Sequence, residues 1–205
     1  MLSPRAYMAS CTARDELRSH TLANLEATDW KGTLTVEFDD PRLRAPVERA
    51  AELFRRILRV AAKRNDEIFL FLEDDLDFNR YLFHNLASWT PLQRHIPGNH
   101  FYASLYNPGV HIQRSYPNSA YGEASPASVL GSQALILSRA TARYVITHWG
   151  VEPGPFADCK VARLAGRVCP LFYHLPSLVQ HIGTESLWRG PFHEARDFNK
   201  LWKAL

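Results

Sequence analysis

The chain has 205 residues, 46% of them hydrophobic, and a formal net charge of +3. That length suits one domain spanning residues 1–205, and the apolar content excludes a disordered chain. The charge is mild and the Lys and Arg residues are scattered, which argues against nucleic-acid binding, and no run approaches the roughly 18 apolar residues of a membrane span.

Cys11, Cys159 and Cys169 are odd in number and far apart, which suits free thiols in a reducing, cytoplasmic compartment. From the N-terminus, Tyr7-Met8-Ala9-Ser10 reads as a first strand, leading through Cys11-Thr12-Ala13-Arg14 into a helix that carries Leu17, Thr21, Leu22 and Leu25. Gly32 breaks the chain, and Thr33 to Phe38 alternates as a strand does before the turn signal Asp39-Asp40-Pro41. Val47, Ala50, Ala51, Phe54, Leu58 and Ala61 then fall at helical spacing. The basic stretch Arg55 to Arg64 is interleaved with Ile57, Leu58 and Val60, so it is the wet face of that helix. Ile68 to Leu72 is apolar without alternation, the pattern of a strand covered on both faces. Strand, helix, strand, helix, strand is the opening of a doubly wound α/β fold.

Further on, Phe101 to Tyr106 is expected as a strand, and the Pro-, Ser-, Gly- and Asn-rich stretch from Asn107 to Gly131 as a long loop suited to act as a lid. Gln133 to Leu137 is a further strand, Ser138 caps a helix running to about His148, and Asp158 is placed to cap a short helix ending at Gly166. Val168 to Tyr173 is expected as the last strand, before a Pro-, His- and Gly-bearing segment and a tail.

The chemistry concentrates after the buried strand, where Glu73, Asp74, Asp75 and Asp77 crowd four carboxylates into five residues. In open α/β sheets ligands bind at the carboxyl ends of strands, so the position suits a site. Carboxylates this close repel, and a hard divalent cation such as Mn²⁺ or Mg²⁺, completed by substrate phosphates, would hold them together. The competing readings are a solvated acidic turn or an Asp capping a helix near Asn79. The second feature is His181, between apolar neighbours in Leu178-Val179-Gln180-His181-Ile182-Gly183, a setting that suits a structural histidine as well as a ligand. A zinc site from His174, His181, Cys159 and Cys169 is set aside, because the spacings match no usual pattern.

The strand ending in Glu73-Asp74-Asp75-Leu76-Asp77 resembles the metal-binding motif of GT-A glycosyltransferases. Pro176-Ser177-Leu178-Val179-Gln180-His181-Ile182-Gly183-Thr184 resembles the C-terminal segment of the catalytic domain in the N-acetylglucosaminyltransferase IV family. Between them, Gly131 to Arg139 is similar to the Gly-led strand these enzymes set beside the donor sugar, and the helix start at Asp158 matches their acidic base. The resemblance implies a Rossmann-like GT-A domain with a mostly parallel central sheet. It implies metal-dependent, inverting transfer of a hexose or N-acetylhexosamine from a nucleotide diphosphate sugar, commonly UDP-linked, to a hydroxyl acceptor. By the same resemblance Asp75 and His181 hold Mn²⁺ or Mg²⁺. Glu73 and Asp74, with Gly131 and Ser132, bind ribose and donor sugar; Ser10, Thr12, Arg14 and the pair Asp39-Asp40 line the nucleotide pocket; Asp158 is the catalytic base. Asp77 also makes a literal Asp-x-Asp with Asp75, which leaves open which carboxylates touch the metal. Two rival classes stand beside this: a non-catalytic nucleotide-sugar-binding module, and another metal-dependent nucleotidyltransferase or phosphohydrolase. Against the second, there is no Walker-type Gly-Lys loop and no Lys beside the carboxylates.

Overall fold

The computed structural model describes residues 5–43, 45–183 and 193–205. Its first third follows the hydrophobic pattern: β1 (Arg5–Ser10), α1 (Asp15–Glu26), β2 (Leu34–Phe38), α2 (Pro46–Lys63) and β3 (Ile68–Leu72). All five residues of β3 are buried. Phe69 and Phe71 face a layer built by α2 and two later helices, with Phe54 of α2 stacked on Phe71 at 3.9 Å between ring centroids. Ile68, Leu70 and Leu72 face the opposite layer, with Leu25 of α1. A strand covered on both faces has no wet side to alternate with, hence the unbroken apolar run.

After β3 come β4 (Leu76–Phe78), the short helices α3 (Leu82–Ser88) and α4 (Thr90–Gln93), β5 (Tyr102–Ser104), β6 (Ile112–Tyr116), β7 (Tyr121–Ala124) and β8 (Ala134–Ser138). The chain continues through α5 (Arg139–His148), α6 (Ala157–Ala165), β9 (Leu171–His174) and β10 (Val179–His181). Ser138 caps α5 as its sequence position predicts, its hydroxyl accepting from the Thr141 N–H at 3.2 Å.

The main sheet has eight strands in the order β2-β1-β3-β8-β5-β9-β7-β6, and β4 pairs with β10 in a separate two-stranded sheet. Through the parallel pairs β1–β2, β1–β3 and β5–β9, most strands of the main sheet run one way, and β8 and β7 run against them. The sheet is thus mixed α/β and mostly parallel. The reversal of β8 has a consequence for the site: residues that precede β8 lie at the same sheet edge as residues that follow β1, β3 and β5.

Two expectations are corrected. Asn107 to Gly131 is not one long loop, because β6 and β7 form a hairpin that extends the sheet through β9. The hairpin escapes a sequence reading because β6 is an exposed edge strand with no apolar stripe, and because a glycine interrupts β7. Gly122 is there for space: a Cβ would stand 2.4 Å from Ile112 Cγ2 and 3.1 Å from the Arg114 carbonyl oxygen. A lid spanning the whole stretch is incompatible with its seat in the sheet. Nor is β9 the last strand, since β10 follows it and lies beside the carboxylates.

His174, at the end of β9, is buried between Trp89 and Trp202. Its Nδ1 hydrogen-bonds the Pro176 carbonyl at 2.6 Å, while its Nε2 has no partner among the described residues. Burial disfavours the charged ring and pushes the pKa down to about 4. Below the ordinary value the unfolded chain therefore takes up a proton that the folded ring refuses. The stabilisation is complete above about pH 6.5 and drains away as pH falls toward 4, by an amount on the order of 2–3 kcal/mol. Urea unfolding across that range should show a steeper loss of stability on acidification for the native chain than for His174→Phe. Parallel pH profiles would rule the histidine out as the cause.

Candidate functional site

The β3 ladder runs one residue past the strand, with the Glu73 N–H donating to the Gln133 carbonyl at 2.9 Å, and then the chain turns. The turn is braced from α1. The Thr21 hydroxyl donates to the Asp74 carbonyl at 2.8 Å and accepts from the Leu76 N–H at 2.8 Å, so one buried side chain holds both sides of Asp75. Asn24 adds a bond from Nδ2 to the Leu76 carbonyl at 3.1 Å. Asp74 and Asp75 are each only 2% exposed, which excludes the solvated acidic turn.

Buried carboxylates need partners. Asp74 accepts from the Ser10 hydroxyl at 2.6 Å and from the Cys11 N–H at 3.4 Å, both at the end of β1. The Arg14 guanidinium bridges the pair, meeting Asp74 Oδ1 at 2.8 Å and Asp75 Oδ2 in a close ion pair. Arg14 thus keeps two buried acids in place. Burial works against charge on Asp75, but His181 and Arg14 outweigh it and hold its pKa below the usual range. Glu73 goes the other way. Its flank keeps some solvent contact, yet burial of the carboxylate, with the Asp75 charge beside it, pushes its pKa up to about 7 against the Ser132 hydrogen bond. Of this close pair Glu73 takes a proton more readily and Asp75 stays ionised.

His181 arrives through the β4–β10 pairing, whose register sets it opposite Leu76. Its Nε2 lies 3.1 Å from Asp75 Oδ2 and its Nδ1 3.2 Å from the His193 carbonyl. Asp77, by contrast, is engaged by Lys200 at 2.6 and 2.9 Å, on the face of β4 away from the core residues Leu76 and Phe78. Of the two ends of the Asp-x-Asp, Asp75 is the one that meets the histidine.

The Gly-led segment before β8 completes the edge. Ser132 donates from Oγ to Glu73 Oε1 at 2.5 Å, and the Gly131 N–H donates to Asp158 Oδ2 at 2.8 Å. Adjacent residues thereby tie Glu73 and Asp158 into one constellation. Gly131 has φ of 82°, the left-handed region where a side chain is strained, and a Cβ would meet Gln133 Oε1 at 2.2 Å. Asp158 is not the cap of α6. The capping position is Phe156, and Asp158 sits in the first turn with its carboxylate turned to the Gly131 loop.

Thr12 is exposed in the short 3-10 turn Thr12–Arg14 and makes no bond to the carboxylates among the described residues. Asp40 lies just past β2 and is held by Arg42 at 2.8 Å, which brings its pKa down to about 2. Both lie near the ends of β1 and β2 on the site's edge of the sheet, but neither is part of the carboxylate cluster. Ser10, assigned with Thr12 and Arg14 from sequence, does belong to it through its bond to Asp74; Thr21, Tyr106 and Gly183 also belong to it and were not assigned from sequence. Their signals, a polar residue on an apolar helix face and a glycine after a strand, occur in every fold.

Among the described residues there is no group of three or more His, Cys, Asp and Glu able to hold a metal alone. The pair Asp75 and His181 nevertheless has the right chemistry for a partial set. If His181 Nδ1–H donates to the His193 carbonyl, Nε2 turns a lone pair toward a carboxylate oxygen, and two acceptors at 3.1 Å attract only through a shared proton or cation. Adjacent ligands of an octahedral ion with bonds of about 2.1 Å stand roughly 3 Å apart, which matches. Asp75 Oδ1 is buried without a hydrogen-bond partner among the described residues. A Cβ on Gly183 would come within 2.5 Å of Asp75 Oδ2 and 3.0 Å of His181 Nε2, so the glycine keeps this space open. The residues present fit an ion completed by ligands from elsewhere.

Compared with solved structures, the chain matches the crystal structure of a glycosyltransferase involved in glycosylation of the major capsid of PBCV-1, with a TM-score of 0.52. The match covers 90% of this chain and 95% of that one at 13% identity. The chain shares the fold of that glycosyltransferase. No family model matches the chain, and no curated protein matches it in sequence. In this open α/β sheet, the edge carrying Asp74, Asp75, His181, Ser132 and Asp158 is the carboxyl edge of most strands, where ligands of such sheets bind. No helix among the described residues is long and apolar enough to cross a membrane.

Proposed function

We propose that the chain is a glycosyltransferase that moves a hexose or N-acetylhexosamine from a nucleotide diphosphate sugar, UDP-linked, to a hydroxyl acceptor with inversion. The observation that carries this reading is the meeting of His181 Nε2 and Asp75 Oδ2 at 3.1 Å on the carboxyl edge of a glycosyltransferase fold. The order of the acidic strand end, the Gly-led segment, Asp158 and the His181 segment, which resembles the N-acetylglucosaminyltransferase IV family, favours an N-acetylhexosamine donor.

Asp75 and His181 would hold Mn²⁺ or Mg²⁺, with diphosphate oxygens as further ligands. The bound ion would stabilise negative charge on the departing diphosphate. Arg14 neutralises part of the charge of this buried pair and helps hold the Asp75 pKa down, while burial pushes that of Asp74 up against Ser10 and Arg14. Glu73 and Asp74, with Ser132, offer hydrogen-bonding groups to the ribose and sugar. Asp158, oriented by the Gly131 N–H, takes the proton of the acceptor hydroxyl as its oxygen attacks the anomeric carbon.

Calorimetry with UDP tests the metal part of the reading. Affinity should be weaker by roughly tenfold or more in EDTA than with Mn²⁺, since about 1.4 kcal/mol of unshielded repulsion is a factor of ten. Equal affinity in both would remove the ion. A transfer and donor-hydrolysis assay across UDP- and GDP-sugars tests the rest. Tight, metal-dependent UDP binding with no turnover on any donor would favour a non-catalytic binding module.

A further inference from the structure

We propose that Tyr106 is a positioning residue for His181: its hydroxyl pins the His193 carbonyl that fixes the histidine's tautomer. The proposal rests on the reading of Asp75 and His181 as metal ligands. Tyr106 lies two residues past β5, is 1% exposed, and has its backbone fixed by reciprocal bonds with the Ser104 hydroxyl at 2.8 and 3.2 Å. A buried phenol gains from hydrogen-bond partners, and this one finds them on a single residue. Its Oη donates to the His193 carbonyl at 2.9 Å and lies 2.7 Å from His193 Nδ1, from which it accepts.

The His193 carbonyl thereby receives two donors, Tyr106 Oη and His181 Nδ1, one for each lone pair. A carbonyl can only accept, so the proton of a neutral His181 is kept on Nδ1. Nε2 is then left with its lone pair toward Asp75, as a metal ligand requires. The two imidazoles also lie nearly parallel, 5.1 Å apart at 27°, so a displaced His193 would carry the ring of His181 with it. Gln180 holds the same segment from the other side, bonding both the N–H and the carbonyl of Ala195 at 2.9 and 3.1 Å. Gln180 sets where the segment lies; Tyr106 sets how its carbonyl points. A ligand's outer partner that fixes tautomer and ring direction typically contributes about 10–100-fold in metal affinity.

The experiment titrates Mn²⁺ into the full chain with saturating UDP, following free Mn²⁺ by electron paramagnetic resonance, for the native protein, Tyr106→Phe and His181→Asn. Tyr106→Phe should bind Mn²⁺ about 10–100-fold more weakly, with thermal stability and metal-free UDP binding little changed. Nitrogen-15 spectra of the native chain with UDP and diamagnetic Mg²⁺ at alkaline pH should show His181 protonated on Nδ1, and in Tyr106→Phe a mixture of tautomers. Native-like Mn²⁺ affinity in Tyr106→Phe, with His181→Asn impaired, overturns the role of Tyr106 and leaves the metal reading intact. Failure of the native chain to bind Mn²⁺ overturns that reading and this proposal with it. If Tyr106→Phe does not fold, the native spectrum decides, and a proton on Nε2 of His181 overturns the proposal.

Discussion

Asp75→Asn is expected to abolish metal-dependent UDP binding and to lower transfer on the order of 10³-fold, the several kcal/mol that a bound cation supplies to a transition state gathering negative charge. The substitution keeps the size of the side chain and removes its charge. Asp75 Oδ2 is the atom shared by Arg14 and His181, and Oδ1 is the buried oxygen without a partner among the described residues, so both oxygens matter here. Some stability is lost as well, because Arg14 keeps only Asp74 as a counter-charge. Asp77→Asn is the control. Asp77 sits two residues on and would serve an Asp-x-Asp motif equally well on paper. Its partner, however, is Lys200, itself 40% exposed, so the change should cost no more than about 1 kcal/mol of stability and leave transfer in place. Calorimetry of UDP with Mn²⁺ and a transfer assay on both variants check this. The reverse outcome, with Asp77→Asn inactive and Asp75→Asn active, would invert the ligand assignment.

Asp158→Asn separates an enzyme from a binding module. An Asn side chain still offers an oxygen to the Gly131 N–H at the position where Asp158 Oδ2 now accepts at 2.8 Å, so the loop before β8 stays in place. It cannot take a proton. Transfer should fall by roughly 10²–10⁴-fold, the usual contribution of a general base, while UDP affinity barely changes. Asp158→Ala additionally strands the Gly131 N–H, which costs about 1 kcal/mol or more and loosens the Ser132 contact to Glu73 one residue on. UDP affinity should drop in that variant alone. Turnover of Asp158→Asn at the native rate would take this residue out of the chemistry and leave it as an anchor for Gly131.

Much of the architecture was legible because burial leaves a period in the residues. Leu53, Phe54, Ile57, Leu58 and Ala61 face one layer along α2, and the unbroken run of β3 shows that both of its faces are covered. Ser138 is a cap whose geometry follows from one hydroxyl at the right place. Elements with weak or exposed patterns were not legible. β6 has four exposed residues, β7 carries the glycine that its neighbour Ile112 requires, and β4 and β10 are only three residues long. At that length no periodicity can be read, and pairing is decided by the partner.

By itself, the sequence determined an α/β domain, the buried third strand, and the place of Glu73, Asp74 and Asp75 at its carboxyl end. These are local properties, carried by spacing along a few turns of chain. Tertiary structure decided which residues meet there. The reversed direction of β8 sends Gly131 and Ser132 to the carboxylate edge, where a parallel strand would have sent them to the opposite one. The register of β10 on β4 selects Asp75 over Asp77 as the neighbour of His181. Arg14 lies 61 residues from Asp75 along the chain, and Tyr106 lies 87 residues from His193. Contacts over such separations are set by the packing of whole elements, and strand direction and register leave no trace in the spacing of the residues they bring together.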